Sequence, residues 1–454
     1  MSINALQQPD KEHGTWKRGI VVLFFLVPLF FMSYGFANAY ASYLSFVPSI
    51  VFAWEQHIPL WAWSIVPYWS IDLFYALSLL LCWNTFELKQ QTLRLLCAQV
   101  ISISCFLLFP LKFSFERPEL SGFFGFWFDL LMGFDKPFNQ APSLHIVLLV
   151  ILWDFYRRHS KGAWKYLVDF WSILIAISVL TTWQHHFIDI PTGIIVGAFC
   201  LWLFPVATVS PFKNSIQKRN SKHVKLAAYY LFTAAMLCII ALYFKNTALW
   251  LLYPAFSLLL VSFAYLLVKP NFFQKQANGK MTNAALILFA PYIVIAWLNS
   301  RLWTLKHQED CFVIHYQDQE IYLGRLPSQK NRQNYQALFD CCAELACHSL
   351  QSQYQAYTSL DLIPLEQQQL QQAVVKFDLL WQQLQDQNQS GAKLLIFCAL
   401  GYSRSTAILA AWLLKNGVVN TVEDAMCLIK AQRPWVVLKE QQIQQLKLYS
   451  LHLA

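Results

Sequence analysis

Charge is what this sequence has least of: Asp, Glu, Lys and Arg make up 13% of 454 residues, against roughly 25% in an ordinary soluble domain. With hydrophobic residues at 57% and aromatics at 16%, that scarcity excludes a chain soluble throughout and predicts a membrane protein. Metal- and disulfide-forming cysteine patterns are missing too. The eleven cysteines (Cys82, Cys97, Cys105, Cys200, Cys238, Cys311, Cys341, Cys342, Cys347, Cys398 and Cys427) include no CxxC pair and no Cys/His zinc spacing, so neither a disulfide framework nor a metal site is indicated. Nor do basic residues alternate with stacking aromatics on a polar face. The formal charge of +9 lies in short loops between apolar runs, as the positive-inside rule describes, and nucleic-acid binding is not expected.

The long uncharged runs fall almost entirely within residues 19–303, while 304–454 are rich in Gln, Asp, Glu and Lys, so at least two domains are expected. A spanning helix needs about 20 mostly apolar residues. Nine windows qualify: 19–41, 61–83, 92–112, 141–157, 164–184, 187–209, 225–244, 247–268 and 283–303. Lys17 and Arg18, then Lys89 and Arg94, then Arg157, Arg158, Lys161 and Lys165, then Lys213, Lys218, Arg219, Lys222 and Lys225 occupy alternate loops. That alternation puts residues 1–18 in the cytoplasm and, with nine crossings, residues 304–454 outside. A cleaved signal ending near Ala37-Asn38-Ala39 is the alternative for the first window, but its apolar run exceeds the usual signal core. A cytoplasmic site for the C-terminal cysteines, in a reducing compartment, would need eight or ten crossings.

The unusual polar residues of the membrane half gather in the outward loops, 113–140 and 184–188. The third window ends in Lys112-Phe-Ser-Phe-Glu-Arg117, the fourth begins Pro142-Ser143-Leu144-His145, and the fifth leads through Ser178-Val179 to Gln184-His185-His186-Phe-Ile-Asp189. Lys112, Arg117 and Ser143 can donate charge-assisted hydrogen bonds to phosphoryl oxygens. His185 and Asp189, four apart at a helix start, share a face, so the carboxylate can orient the imidazole and stabilise its cation. His185 is therefore a candidate nucleophile and His145 a candidate general acid, with no metal or other cofactor required. Asp72, inside the second window, is a separate membrane-embedded carboxylate.

These residues resemble the three motifs of the phosphatidic acid phosphatase type 2 superfamily, across about residues 20–209. Four residues separate Lys112 from Arg117 where the superfamily has six, Leu144 replaces a glycine, and Val179 stands where an arginine is usual. The last departure resembles the branch that includes inositol phosphorylceramide and sphingomyelin synthases, which implies that transfer to a lipid hydroxyl is as open as hydrolysis.

Beyond 304 the patterning changes. Cys311-Phe-Val-Ile-His and Ile321-Tyr-Leu-Gly-Arg-Leu-Pro read as strands, and 365–387 as a Gln-rich amphipathic helix with Leu370, Val374, Phe377, Trp381 and Leu384 on one face. Ala392-Lys-Leu-Leu-Ile-Phe397 is a buried strand, followed by the loop Cys398-Ala-Leu-Gly-Tyr-Ser-Arg404 and an apolar helix from Ser405 to Lys415. A loop wrapping into a helix N-terminus aims backbone N–H groups and the positive dipole end at one anion, and the same dipoles with Arg404 favour the thiolate of Cys398. Gly401 lets the backbone approach the anion, Ser403 belongs to the same cradle, and the Ser405 hydroxyl can stabilise the leaving thiolate. Asp361, ahead of the amphipathic helix, is the candidate proton donor, with Glu366 in reserve. The Cys-x5-Arg-Ser signature resembles the dual-specificity branch of the protein tyrosine phosphatases over 310–454, and Ala425 to Arg433-Pro434 looks like that family's closing helices. The family usually has histidine where Phe397 stands, a departure that implies reduced activity or a higher thiol pKa.

The expected architecture is an all-α polytopic membrane bundle of about nine spans followed by a soluble α/β cysteine-phosphatase domain. Its segments are the N-terminus 1–18, a six-helix membrane domain 19–209 like that of the superfamily named above, three further spans 210–303, and the phosphatase-like domain 304–454. The two resemblances together suggest a bacterial-type fusion in the cell membrane, the inner membrane of a bacterium, acting as a phosphoric monoester hydrolase on phosphorylated membrane lipids through a histidine site and a phosphocysteine site. Alternatives are a lipid head-group transferase coupled to a phosphatase, a membrane-anchored protein tyrosine or dual-specificity phosphatase, and a non-catalytic phospho-ligand sensor. The natural substrate and the oligomeric state are not legible.

Overall fold

A computed structural model describes residues 11–213, 219–348, 353–386 and 391–453, with the Phe134 side chain excepted. Residues 1–10 of the expected N-terminal segment, Lys218 and Ala454 lie outside the described residues. The chain forms two compact units, Met1–Ala207 and Thr208–Ala454.

The first unit is helical: α1 (Thr15–Ser42), α2 (Ile65–Leu80), α3 (Thr85–Leu108), α4 (Gly122–Phe134), α5 (Leu144–His159), α6 (Trp164–Thr181) and α7 (Asp189–Leu203). Six of these match the first six apolar windows. The seventh, α4, lies in the stretch expected to be a plain loop, 113–140. Its sequence GFFGFWFDLLMGF is apolar enough to fold against neighbours but, at 13 residues, too short to cross a bilayer. Caps set the starts where the chain leaves irregular segments: the Asn84 side chain accepts from the Glu87 N–H (2.9 Å) at α3, and Ser143 accepts from the Ile146 N–H (3.4 Å) at α5. α5 and α7 approach closely through Gly193 and Gly197. A Cβ at Gly197 would lie 2.7 Å from the Val150 Cβ, and one at Gly193 would lie 2.8 Å from the Ile146 Cβ. This small-xxx-small spacing is how apolar helices pack without a hydrophobic drive.

The second unit begins with α8 (Ser221–Phe244), α9 (Leu252–Leu266) and α10 (Asn283–Trp303) and continues through β1 (Cys311–Tyr316), β2 (Gln319–Arg325), α11 (Gln329–Arg332), β3 (Ala337–Cys342), β4 (Gln353–Ser359), α12 (Gln367–Gln385), β5 (Lys393–Cys398), α13 (Arg404–Lys415), α14 (Val422–Gln432) and α15 (Glu440–Leu451). The sheet order is β1-β2-β5-β3-β4. β1 and β2 are antiparallel, and β2, β5, β3 and β4 run parallel. β5 is central, and its side chains alternate between two cores. Leu394, Ile396 and Cys398 face the cluster built by α12 to α15, while Leu395 and Phe397 face a second cluster with Leu326, Leu338, Cys342 and Leu345.

That second face is covered by α10, whose Ile293 and Ala296 pack on it. Both ends of α10 are tied to the same sheet. Just before it, the Lys275 ammonium pairs with Asp340 (2.7 Å) and also bonds the Cys342 carbonyl, and the Cys347 N–H donates to the Gly279 carbonyl (3.0 Å). At its other end Ser300 donates to the Ala399 carbonyl (2.6 Å) and Arg301 to the Leu326 carbonyl (3.0 Å). Among the described residues six helical segments are long and apolar enough to cross a membrane: α1, α3, α6, α8, Asn246–Leu266 (which ends in α9) and α10. α10 is one of these six and is also the one tied to the sheet at both ends.

Candidate functional sites

β5 delivers Cys398 to the floor of a cleft, where the chain leaves the sheet and turns into α13. Gly401 closes the turn at φ +71°, and a Cβ there would sit 2.3 Å from the Gly324 carbonyl oxygen, so only glycine fits. The Gly401 N–H donates to the Cys398 Sγ (3.2 Å) and the Ser405 hydroxyl donates to it at 3.4 Å. Burial alone would push this thiol up, but the Arg404 charge, the Ser405 hydroxyl and the backbone N–H groups of Ser405 and Gly401 together hold it below the ordinary thiol value. Burial pushes the Cys341 and Cys342 thiols well up and that of Cys347 up to about 12. Cys398 is the activated thiol of this group.

Phe397, where the family usually has histidine, does not reach the thiol. It is fully buried in the second core, on the opposite face of β5 from Cys398, and Arg433 secures the loop instead. This wholly buried guanidinium donates to the carbonyls of Gly401 (3.0 Å), Glu309 (2.8 Å), Leu323 (3.4 Å) and Leu400 (3.4 Å). Drawing the loop carbonyls to one side leaves the opposite edge to N–H groups.

Arg404 is held by a residue that the sequence did not single out. Its Nη1 donates to the buried Glu344 carboxylate (2.9 Å) and to the Ser359 carbonyl (2.6 Å), while Nη2 lies 3.1 Å from the Asp361 Oδ1. Burial would raise the Glu344 carboxyl, but the Arg404 charge and hydrogen bond and the Cys342 S–H lower it. The Asp361 N–H donates to Glu344 (2.6 Å), and Tyr265 of α9 donates to the Asp361 carbonyl (3.2 Å), so this acid-bearing loop is fixed by its backbone while its carboxylate stays partly exposed. Ser403 lines the cleft and its hydroxyl accepts from Gln442 (2.6 Å). Glu344 follows the strand Ala-Leu-Phe-Asp-Cys-Cys by two residues and Arg433 is the C-cap of α14. A lone charge beside a buried apolar run was the signal available for both.

In the first unit, the structure brings His145, His185, Asp189 and Ser143 together. His185 Nδ1 lies 3.2 Å from Asp189 Oδ2, the His145 and His185 ring centroids are 6.3 Å apart, and the Ser143 N–H donates to the Asp189 carbonyl (3.1 Å). His145 stacks on Tyr68 at 3.9 Å, and its Nε2 has no hydrogen-bond partner among the described residues. Lys112 and Arg117 line a cavity of about 640 Å3 whose walls include neither histidine. Arg117 donates to the Trp183 carbonyl (2.9 Å), two residues before His185. His186, passed over in favour of its neighbour, bonds Glu55 (2.9 Å) and the Ser114 hydroxyl (3.0 Å), clamping three loops.

A strand ending in an activated cysteine, a five-residue loop closed by arginine and a helix behind it define the cysteine-dependent phosphatases. Within that class, residues 321–451 match the family "Dual specificity phosphatase, catalytic domain", so the second unit carries a dual-specificity phosphatase domain. No match to the phosphatidic acid phosphatase type 2 superfamily accompanies it. Similar solved structures include PTPMT1 in complex with PI(5)P, at 19% identity and TM-score 0.25 over 29% of this chain and 91% of that one. Tk-PTP in its active form matches at 19% and 0.26, over 31% and 96%. The human tyrosine phosphatase-like serine/threonine/tyrosine-interacting protein matches at 16% and 0.27, over 33% and 100%. No curated protein matches the chain.

Proposed function

We propose that the protein is an integral membrane phosphatase that hydrolyses phosphomonoesters of membrane lipids at Cys398. The observation that carries this reading is the cleft itself, in which the activated thiol, Arg404 and Asp361 share walls with Lys222 from the first turn of the apolar helix α8. The thiolate attacks phosphorus as the P–O bond to the leaving alcohol breaks, and Asp361 supplies the proton that the alcohol needs. Arg404 exchanges the Asp361 carboxylate for two phosphoryl oxygens. Water then displaces the thiolate from the phosphocysteine, with Asp361 taking its proton and the Ser405 hydroxyl stabilising the departing sulfur.

A second, histidine-based site in residues 19–209 belongs to this reading. His185, oriented by Asp189, would attack a lipid phosphate and His145 would protonate the departing oxygen, with Lys112, Arg117 and Ser143 supplying phosphate donors. Val179, fully buried in α6, leaves the place of an arginine apolar, which keeps transfer to a lipid hydroxyl in view. A new head-group lipid that disappears in His185→Ala would identify transfer; loss of phosphate alone would identify hydrolysis. The test of the whole reading is release of phosphate from lipid phosphates by the purified protein. Each of Cys398→Ser and His185→Ala should remove part of it, and turnover persisting in the double variant would sink the proposal.

In this reading α8 and α9 are the seventh and eighth crossings and α10 lies on the phosphatase domain instead of making a ninth. The cleft then opens at Lys222, where α8 begins, and the positive-inside rule applied to Lys213, Arg219, Lys222 and Lys225 puts that side in the cytoplasm.

A further inference from the structure

Two cations at the cleft mouth have no role in the chemistry just described. The cleft of about 170 Å3 that holds Cys398 and Arg404 is also lined by Lys222 and by Lys439, from the first turn of α8 and the residue preceding α15. Among the described residues neither ammonium forms an ion pair or a side-chain hydrogen bond. Each lies within electrostatic reach of the other, and the nearby Asp361 is engaged by Arg404. Two like charges facing one cavity repel, and an anion placed between them turns that repulsion into two attractions. The rim beside them is apolar: Leu362 and Val437 line the same cleft and are more than half exposed. Beyond Lys222, α8 presents exposed Tyr229, Leu231 and Phe232.

We propose that Lys222 and Lys439 form a second anion subsite at the mouth of the Cys398 cleft, and that the substrate is a lipid head group carrying a second phosphate besides the ester cleaved at Cys398. The inference rests on the lipid-phosphatase reading and deepens it. The Arg404 cradle takes the terminal phosphomonoester, the lysine pair takes the phosphodiester that joins the head group to its glycerol, and the apolar rim faces the acyl chains. Lys222 makes the arrangement dependent on the membrane helices, because it stands where α8 leaves the water.

The test uses the full-length protein in detergent micelles mixed with vesicle lipid. Phosphatidylinositol monophosphate carries a diester and a monoester, phosphatidic acid only a monoester; fructose 1,6-bisphosphate and p-nitrophenyl phosphate are the soluble counterparts. The unaltered protein should prefer the two-phosphate member of each pair. Lys222→Gln and Lys439→Gln should each lower that preference, the ratio of kcat/KM values, by about tenfold, the size of one charge-assisted contact. Lipid turnover with ratios unchanged in both variants overturns the subsite and leaves the lipid reading standing. Turnover of the soluble pair alone, with a lysine-dependent ratio, overturns the lipid reading and leaves a subsite for soluble bisphosphates. If turnover is too slow to rank, the affinities of Cys398→Ser for the same pairs must show the same lysine dependence, and equal affinities overturn the subsite.

Discussion

At the scale of single residues, the cysteine site is a balance between burial, which opposes a thiolate, and four donors that favour it. Removing one donor should therefore move a titration before it abolishes a reaction. In Ser405→Ala the Cys398 thiol loses its hydroxyl partner, one of the groups that hold its pKa down, and its pKa rises. Because only the deprotonated sulfur attacks, the acid limb of the kcat/KM profile moves to higher pH, and the limb of iodoacetamide alkylation moves with it. A profile that stays in place while kcat falls would assign Ser405 to the hydrolysis step alone. Glu344→Gln breaks the buried Arg404 pair and should destabilise the second unit by about 3–5 kcal/mol, read as a fall in its thermal melting temperature. Phe397→His, which would restore the family's usual residue, puts an imidazole among Leu338, Leu395 and Tyr335. Placing a polar ring in that apolar core should cost about 1–3 kcal/mol without adding activity. Cys398, Arg404 and Asp361, which line one cleft, could be singled out from the sequence because the loop is contiguous and Asp361 lies ahead of the amphipathic helix. Glu344 and Arg433 could not, because they reach the site from elsewhere in the chain and announce themselves only through burial.

At the scale of elements, periodicity located most of the helices and the strands β1, β2 and β5, since an uncharged run of the right length or an alternating run before a glycine leaves little choice of conformation; β3 and β4 were not singled out. Residues 122–134 lie between polar stretches and read as loop, although their composition supports α4. Residues 283–303 read as a crossing, and α10 is long and apolar enough for one, but an apolar helix covering a sheet and one facing lipid have the same composition. Burial of the helix on Leu338, Leu395 and Phe397 is a tertiary fact. A fragment beginning at 304, at the expected boundary, therefore uncovers a core face. We expect 304–454 to express as aggregated material, whereas 208–454, which keeps α10, should fold in detergent and show the activated thiol. Equal solubility of both fragments would show that α10 is dispensable. In the first unit the Gly193 and Gly197 contact holds α7, with Asp189 at its start, against α5, with Ser143 and His145 at its own. Gly197→Leu must drive these helices apart, because its Cβ alone meets Val150 and the Val147 carbonyl at 2.7 and 2.9 Å. Any phosphate release that depends on His185 should be lost, while the Cys398 activity persists.

For the whole molecule the unsettled quantity is which side of the membrane carries Cys398. Nine crossings would put it outside, where its neighbours Cys341, Cys342 and Cys347 would meet an oxidising compartment. On the topology proposed above, the tethers of α10 remove one crossing. Lys275 and Gly279 before it and Ser300 and Arg301 near its end all bond the same sheet, and a bilayer of about 30 Å cannot lie between two ends held by one domain. In that topology the segment just before α10 and the surface of α14 share a side, which the basic cluster ahead of α8 assigns to the cytoplasm. Ala277, exposed beside the Lys275 tether, and Cys427, exposed on α14, report the two places independently. In intact cells a membrane-impermeant maleimide should label neither the Ala277→Cys protein nor native Cys427, and permeabilisation should expose both together. Labelling of both before permeabilisation would put the domain outside with α10 still on its sheet, contradicting the charge rule. Labelling of one but not the other would mean that residues 283–303 cross the membrane after all, and the cover over Phe397 would have to come from elsewhere.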